Sequence, residues 1–193
     1  MAASVETVFD VAAWLMDHAL NDNEYLQPMK MHRLLYLAHG YFGVAYHGRK
    51  MSPAVFVATE TGPIEPNVFR AFEQGRPAFY LNTAIDKTAE TFLESIWRRF
   101  GPYSADKLAE ITMKTTAYQK AIMKGNRTEI PFDSLVTSLQ KPKEAPTIDK
   151  VIKPRVLKSQ DGRPVEVKPW GMGLRKVAQA TPLPSKAKKK QRD

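Results

Sequence analysis

Residues 59–69, TETGPIEPNVF, place one glycine and two prolines within a single short stretch. Proline fixes φ, lacks an N–H and pushes the residue before it out of the helical region, while glycine opens backbone angles closed to other residues. Pro63 therefore disfavours helix at Gly62. Pro66 suits the first turn of a helix, where the missing N–H would find no partner anyway. The preceding PAVFVATETG is β-branched and loosely alternating, which predicts a short extended segment over 54–60. The following PNVFRAFEQ predicts a helix with Val68, Phe69 and Phe72 facing inward. Gly62, Pro63 and Pro66 read as a stiff strand-to-helix corner, whose restricted backbone lowers the entropy of the unfolded chain.

On either side of that corner the apolar period is helical. Over 8–20, Val8, Val11, Ala12, Leu15 and Ala19 share a face, with Thr7 and Asp10 spaced as a capping box. From Pro28 to Gly48, Met31, Leu34, Leu35, Ala38, Phe42 and Ala45 form one stripe. Gly40 lies mid-helix at about 1 kcal/mol relative to Ala, which implies close approach of a neighbouring backbone. Tyr36, Leu37, Tyr41 and Tyr46 point partly away from that stripe. They form either an interface or a face covered by a further helix. Lys30 and Arg33 oppose the helix dipole in the first turns, a small penalty that an internal carboxylate or an acidic partner would offset. Further helices are expected over DKTAETFLESIWRRF, ADKLAEITM and TAYQKAIM, with a last turn or two after Asp133. The body reads as a compact, mainly α domain with a small β element.

The net charge of +9 is unevenly placed. Residues 141–193 carry 15 Lys and Arg against 5 Asp and Glu, whereas residues 1–140 are close to neutral. Every Phe and Tyr precedes position 141, and seven of the 14 prolines follow it. This predicts a domain over 1–140 and a basic, proline-rich arm over 141–193. Within the arm, Val156, Val165 and Val167 flank SQDG, a hairpin turn signal weakened by Pro154, Pro164 and Pro169. Trp170 is its natural anchor for a partner. No cysteine occurs, which removes disulfides and thiol chemistry. The absence of an apolar run of about 18 residues or a signal-like start predicts a cytoplasmic protein with no membrane span.

Three motifs resemble the Panacea domain, the SocA-like or phage-associated GepA family. KMHRLLYLAHG (30–40) is similar to its signature K-L-x-K-L-L-Y-x-A-Q-G. Ala58, Gly62, Pro63 and Pro66 fit A-W-x-x-G-P-x-x-P. YSADKLAEITMKTTAYQKA (103–121) resembles S-A-x-x-L-x-x-x-T-H-x-E-x-P-W-x-x-A. The chain departs from these patterns at His39, Thr59, Met113, Thr115, Ala117 and Tyr118. The resemblance implies a helical scaffold and an antitoxin of a toxin–antitoxin system, prophage-borne in some settings, that silences a cognate toxin by direct contact. Under it, Lys30, Arg33, Tyr36, Tyr41, Glu60, Glu65 and Trp170 are candidate contact residues. Leu34, Leu35, Gly40, Gly62, Pro63 and Pro66 carry the architecture.

Catalytic and metal chemistry find little support. His18, His32, His39 and His47 form no ligand spacing, and His32 and His39 lie about 10.5 Å apart along a helix. No nucleophile elbow, Walker loop or dinucleotide fingerprint occurs. Glu60 and Glu65 read as a solvated rim rather than an acid–base pair, and an enzyme built on them or on His39 is the least favoured class. No catalytic residue and no cofactor is assigned. The rival to an antitoxin is a nucleic-acid-binding regulator acting through Lys186, Lys188, Lys189, Lys190 and Arg192, whose binding would be weak, sequence-blind and steeply salt-dependent.

Overall fold

The computed structural model describes residues 3–73, 75, 85–142 and 145–152, together with the backbone of 155–158 and 164–167. Helix α1 (Val8–Asn21) starts at the expected capping box: the Thr7 hydroxyl oxygen accepts from the Asp10 N–H, and the Asp10 carboxylate accepts from the Thr7 N–H. Its buried face includes Val8, Val11, Ala12, Leu15 and Ala19, as the spacing predicts.

Helix α2 (Pro28–Ala45) begins with proline in its first turn and runs through the middle of the molecule. A single apolar stripe was expected; instead every residue from Lys30 to Gly43 is buried. The reason is the number of neighbours, since α2 is surrounded rather than laid on a surface. Leu34, Leu35 and Leu37 are wholly enclosed, each contributing roughly 1.5–3 kcal/mol relative to exposure. Tyr36 and Tyr41 are also fully buried, so they belong to the core and not to an interface.

Strand β1 (Phe56–Thr59) turns at Glu60–Thr61 into β2 (Gly62–Ile64), which pairs back antiparallel with Val57 opposite Ile64 and Thr59 opposite Gly62. The expected corner is thus a hairpin first and a helix start second. Gly62 has φ +121°, and an added Cβ would stand 3.3 Å from the Arg33 guanidinium, so two separate constraints select glycine. Helix α3 (Pro66–Phe72) follows, its first turn held by Glu65. Val68 and Phe72 are buried as expected, but Phe69 is 41% exposed.

Helix α4 (Lys87–Phe100) buries Ala89, Phe92, Leu93, Ile96, Trp97 and Phe100 and ends at Gly101. Helix α5 (Ala105–Met113) is capped by Ser104, and α6 (Thr116–Ile122) by Thr115. Strand β3 (Thr128–Ile130), absent from the sequence reading, completes a sheet of order β2-β1-β3. Helix α7 (Phe132–Gln140) is longer than expected, with Asp133 inside its first turn rather than at the cap. It crosses α2 at two glycines. A Cβ on Gly40 would meet Leu139 at 2.4 Å and Leu135 at 2.9 Å, and one on Gly43 would meet Val136 at 2.4 Å. Leucine and valine side chains, not a backbone, occupy the space.

The packed body continues past residue 140. Helix α8 (Ile148–Val151) rests on α2 and α4, with Val151 only 1% exposed, and the Tyr41 hydroxyl donates to the Pro146 carbonyl at 2.6 Å. A domain boundary at 140 therefore falls inside the body, which reaches Ile152. Beyond it, β4 (Arg155–Lys158) and β5 (Pro164–Val167) pair antiparallel with Leu157 opposite Val165. The Asp161–Gly162 turn, Trp170, and Lys186, Lys188, Lys189, Lys190 and Arg192 lie outside the described residues. Among the described residues no helix is long and apolar enough to cross a membrane.

Candidate functional site: a groove framed by the hairpin and α3

Along β1, Phe56 and Ala58 are buried while Val57 and Thr59 are half-buried, the two-residue alternation of a strand with one open face. Val57, Thr59 and Ile64 line a groove of about 630 Å³, walled by Pro66, Phe69 and Arg70 from α3 and by Glu73 just past its end, and closed by Asn126 and Arg127 ahead of β3. Glu60 and Thr61 form its lip at the hairpin turn. Arg127 holds a left-handed backbone, φ +61°. The floor is apolar, Phe69 stands proud of it, and charges of both signs stand around it, Glu60 at the lip, Arg70 and Glu73 along the wall and Arg127 at the closing end. Among the described residues Glu60 and Glu73 are its acids, and no His, Lys or Cys joins the lining. Such a surface is suited to contact: an aromatic centre inside a polar rim.

The groove is held from below by buried polar groups. Arg33, 4% exposed, donates to the carbonyls of Thr61 and Met29. Tyr118 donates to the Thr59 carbonyl at 2.6 Å, and the Thr59 hydroxyl donates to the Gly62 carbonyl at 2.7 Å. Glu65, fully buried, accepts from the Val68 N–H at 2.6 Å and from Asn67 Nδ2 at 3.0 Å. The Glu65 N–H in turn lies 3.4 Å from His32 Nδ1, toward which it donates. That assigns Nδ1 of His32 as acceptor and its proton to Nε2, which is buried without a partner among the described residues. Burial, and then the neighbouring Arg33 charge, lower the His32 pKa to about 4, so the ring is neutral near pH 7. Its centroid lies 5.9 Å from the Phe69 ring, directly behind the groove.

Over 77 residues the chain is 36% identical to "Antitoxin SocA" of Caulobacter vibrioides (strain NA1000 / CB15N). The likeness is to an antitoxin. It spans 40% of this chain and 40% of that protein. No family model and no solved structure matches the chain.

Against this geometry the sequence-derived candidates divide sharply. Glu60 lines the groove and is exposed. Arg33 and Glu65 support it from inside, where neither offers surface to a partner; Glu65 is a helix cap, not a solvated rim. Tyr36 is bonded to the Thr115 hydroxyl at 2.8 Å and packs edge-on against Phe56. Tyr41 stacks on Phe100, at 5.7 Å between centroids. Lys30, 7% exposed, pairs with Glu24 and donates to the Gly101 carbonyl at 2.6 Å, and it does not line the groove. An internal carboxylate is thus the partner found for Lys30. His39 donates from Nδ1 to the Leu35 carbonyl and accepts at Nε2 from the Ser52 hydroxyl, at 2.8 and 2.7 Å. Among the described residues no group of three or more His, Cys, Asp or Glu is placed to hold a metal ion.

Sequence reasoning missed Val57, Phe69, Arg70 and Arg127. One signal for Phe69 was present: Val68 and Phe72 are four apart and share a face, which leaves Phe69 rotated off it. Arg127 had none, since it depends on β3. Three positions departing from the Panacea pattern, Thr59, Thr115 and Tyr118, are joined by the bonds described above, with Thr115 also accepting from the Tyr118 N–H at 3.4 Å. At these places the chain has its own set of contacts beneath the hairpin.

Proposed function

We propose that this protein is an antitoxin that neutralises a cognate toxin by direct contact, performing no reaction itself, and that the groove is its contact face. The likeness to an antitoxin carries the reading. The groove supports it: an exposed aromatic residue over an apolar floor, with charged groups ranged around it. Burial of Phe69 against a partner would supply the affinity, and Glu60, Arg70, Glu73 and Arg127 would set orientation and encounter rate.

The test is co-expression with the product of the adjacent gene. Growth is rescued by the wild-type chain and lost with Phe69→Ala, while thermal unfolding of the variant stays near wild type because Phe69 is already part-exposed. Rescue by Phe69→Ala and by Phe69→Asp at wild-type strength would remove the groove from the account. Failure of the wild-type chain to bind or silence any neighbouring product would remove the antitoxin itself.

A further inference from the structure

The sheet β2-β1-β3 packs one face on the core and leaves the other open. Phe56 points inward, edge-on to Tyr36 and His39 of α2, and Ala58 and Ile130 are buried with it. Val57 and Thr59 alternate to the opposite face, where they are half-buried, and Val55 just ahead of β1 continues the row at 47% exposed. The register sets Ile64 on one side of Val57 and Glu129 on the other, and residues directly opposite share a face. Phe69 stands beside this row on α3. A sheet face of this kind is normally buried by a further layer. A partner strand finds no free ladder to extend. Beside β2, Pro63 has no N–H, the Thr61 carbonyl accepts from Arg33 and the Glu65 N–H donates toward His32. Strand β3 has three residues and α6 packed against it. A partner is therefore received through side chains.

The row from Val55 to Thr59 is about 13 Å long at strand rise, a little over two turns of helix. Its rims carry charge in pairs. Arg70 and, just past α3, Glu73 stand on one side, with Arg127 and Glu129 on the other. All four are exposed, and none has an ion pair among the described residues. In each pair a cation and an anion are two or three positions apart, a spacing close to the roughly 5.4 Å pitch of a helix. Arg127 also holds φ +61°, a region that disfavours it, although Gly125 and Asn126 just before it are residue types that tolerate such a backbone. We infer that this open face, continuous with the groove beside α3, receives an amphipathic α-helix of the partner protein. The apolar stripe of that helix would rest on Val55, Val57 and Phe69, and its flanks would oppose the two charge pairs with the reverse signs. The inference rests on the reading of the chain as one that works by touching another protein, and it specifies which element of that protein is touched.

The experiment titrates the full chain into fluorescein-labelled peptides, overlapping and about five helical turns long, that cover the product of the adjacent gene, and in parallel into that whole product. A peptide with apolar residues at i, i+3, i+4 and i+7 is expected to bind, and to gain helical circular dichroism as it does. Val55→Lys should weaken it about tenfold, and Arg127→Gly about fivefold. Val55 is already exposed and glycine accepts the backbone of Arg127, so both variants should melt near wild type and a loss of binding is not a loss of fold. Binding of the whole product with no helical peptide bound overturns the inference and leaves the antitoxin reading standing. A bound peptide that turns to strand, or one indifferent to both substitutions, overturns it as well. Self-association of the chain that Val55→Lys abolishes would make the occupant a second copy, which also overturns it. Failure of the whole product to bind removes the antitoxin reading, and the inference falls with it.

Discussion

Tyr118 ties the hairpin to α6 through one hydroxyl, and removing it isolates the value of that bond. Tyr118→Phe should cost about 0.5–1.5 kcal/mol, the net worth of one hydrogen bond, read as a shift of the urea midpoint. Two buried histidines give a larger signal. His32 and His39 both titrate near 4 when folded, lowered chiefly by burial, against about 6.5 when unfolded. Between those values the unfolded chain binds more protons, so stability rises with pH across the window. It is fully present above about 6.5, falls as pH drops toward 4, and is lost below that. At one pKa unit per 1.4 kcal/mol, each ring accounts for roughly 3 kcal/mol over the window. Urea unfolding at stepped pH should show this slope, and His39→Gln should reduce it. A flat profile from pH 7 to 4 would mean that the rings protonate freely in the folded chain.

At the scale of elements, the crossing of α2 and α7 is set by what is missing from Gly40 and Gly43. The side chains of Leu135, Leu139 and Val136 fill the space a Cβ would need. Gly40→Val should destabilise by about 1–3 kcal/mol through overpacking, against the gain expected of replacing a mid-helix glycine on a free helix. Circular dichroism during thermal melting distinguishes the two, since a stabilised variant would show that α7 simply moves away. The start of α3 depends on Glu65 in a similar way. Glu65→Ala removes the acceptor of the Val68 N–H, a loss of about 1 kcal/mol typical of a cap. It also empties a fully buried site, whereas Glu65→Gln keeps an oxygen for the bond and should lose less.

The molecule as a whole closes around α2 only when the segment after α7 is included. Ending the chain after residue 140 removes the acceptor of Tyr41 and the buried Val151, and should lower stability by about 2–4 kcal/mol. Ending it after residue 152 should leave the melting temperature unchanged. Identical melting of the two truncations would put the boundary back at 140.

What the sequence determined by itself is the set of features settled within a few residues. Thr7 and Asp10, Pro28, Pro66 and Ser104 act through their own backbone or a neighbour three or four positions on, as does Gly62 through its positive φ though not through its contact with Arg33, so their roles at helix starts and turns were legible. The helical period likewise marked α1, α4 and α5. The tertiary structure decided which of the polar and aromatic groups reach solvent. Lys30 meets Gly101 across 71 residues, Arg33 meets Thr61 across 28, Tyr36 meets Thr115 across 79 and Tyr41 meets Pro146 across 105. No local pattern encodes such partners. A side chain looks equally fit for a surface or a core until the element that covers it is in place, and for α2 that cover comes from every side.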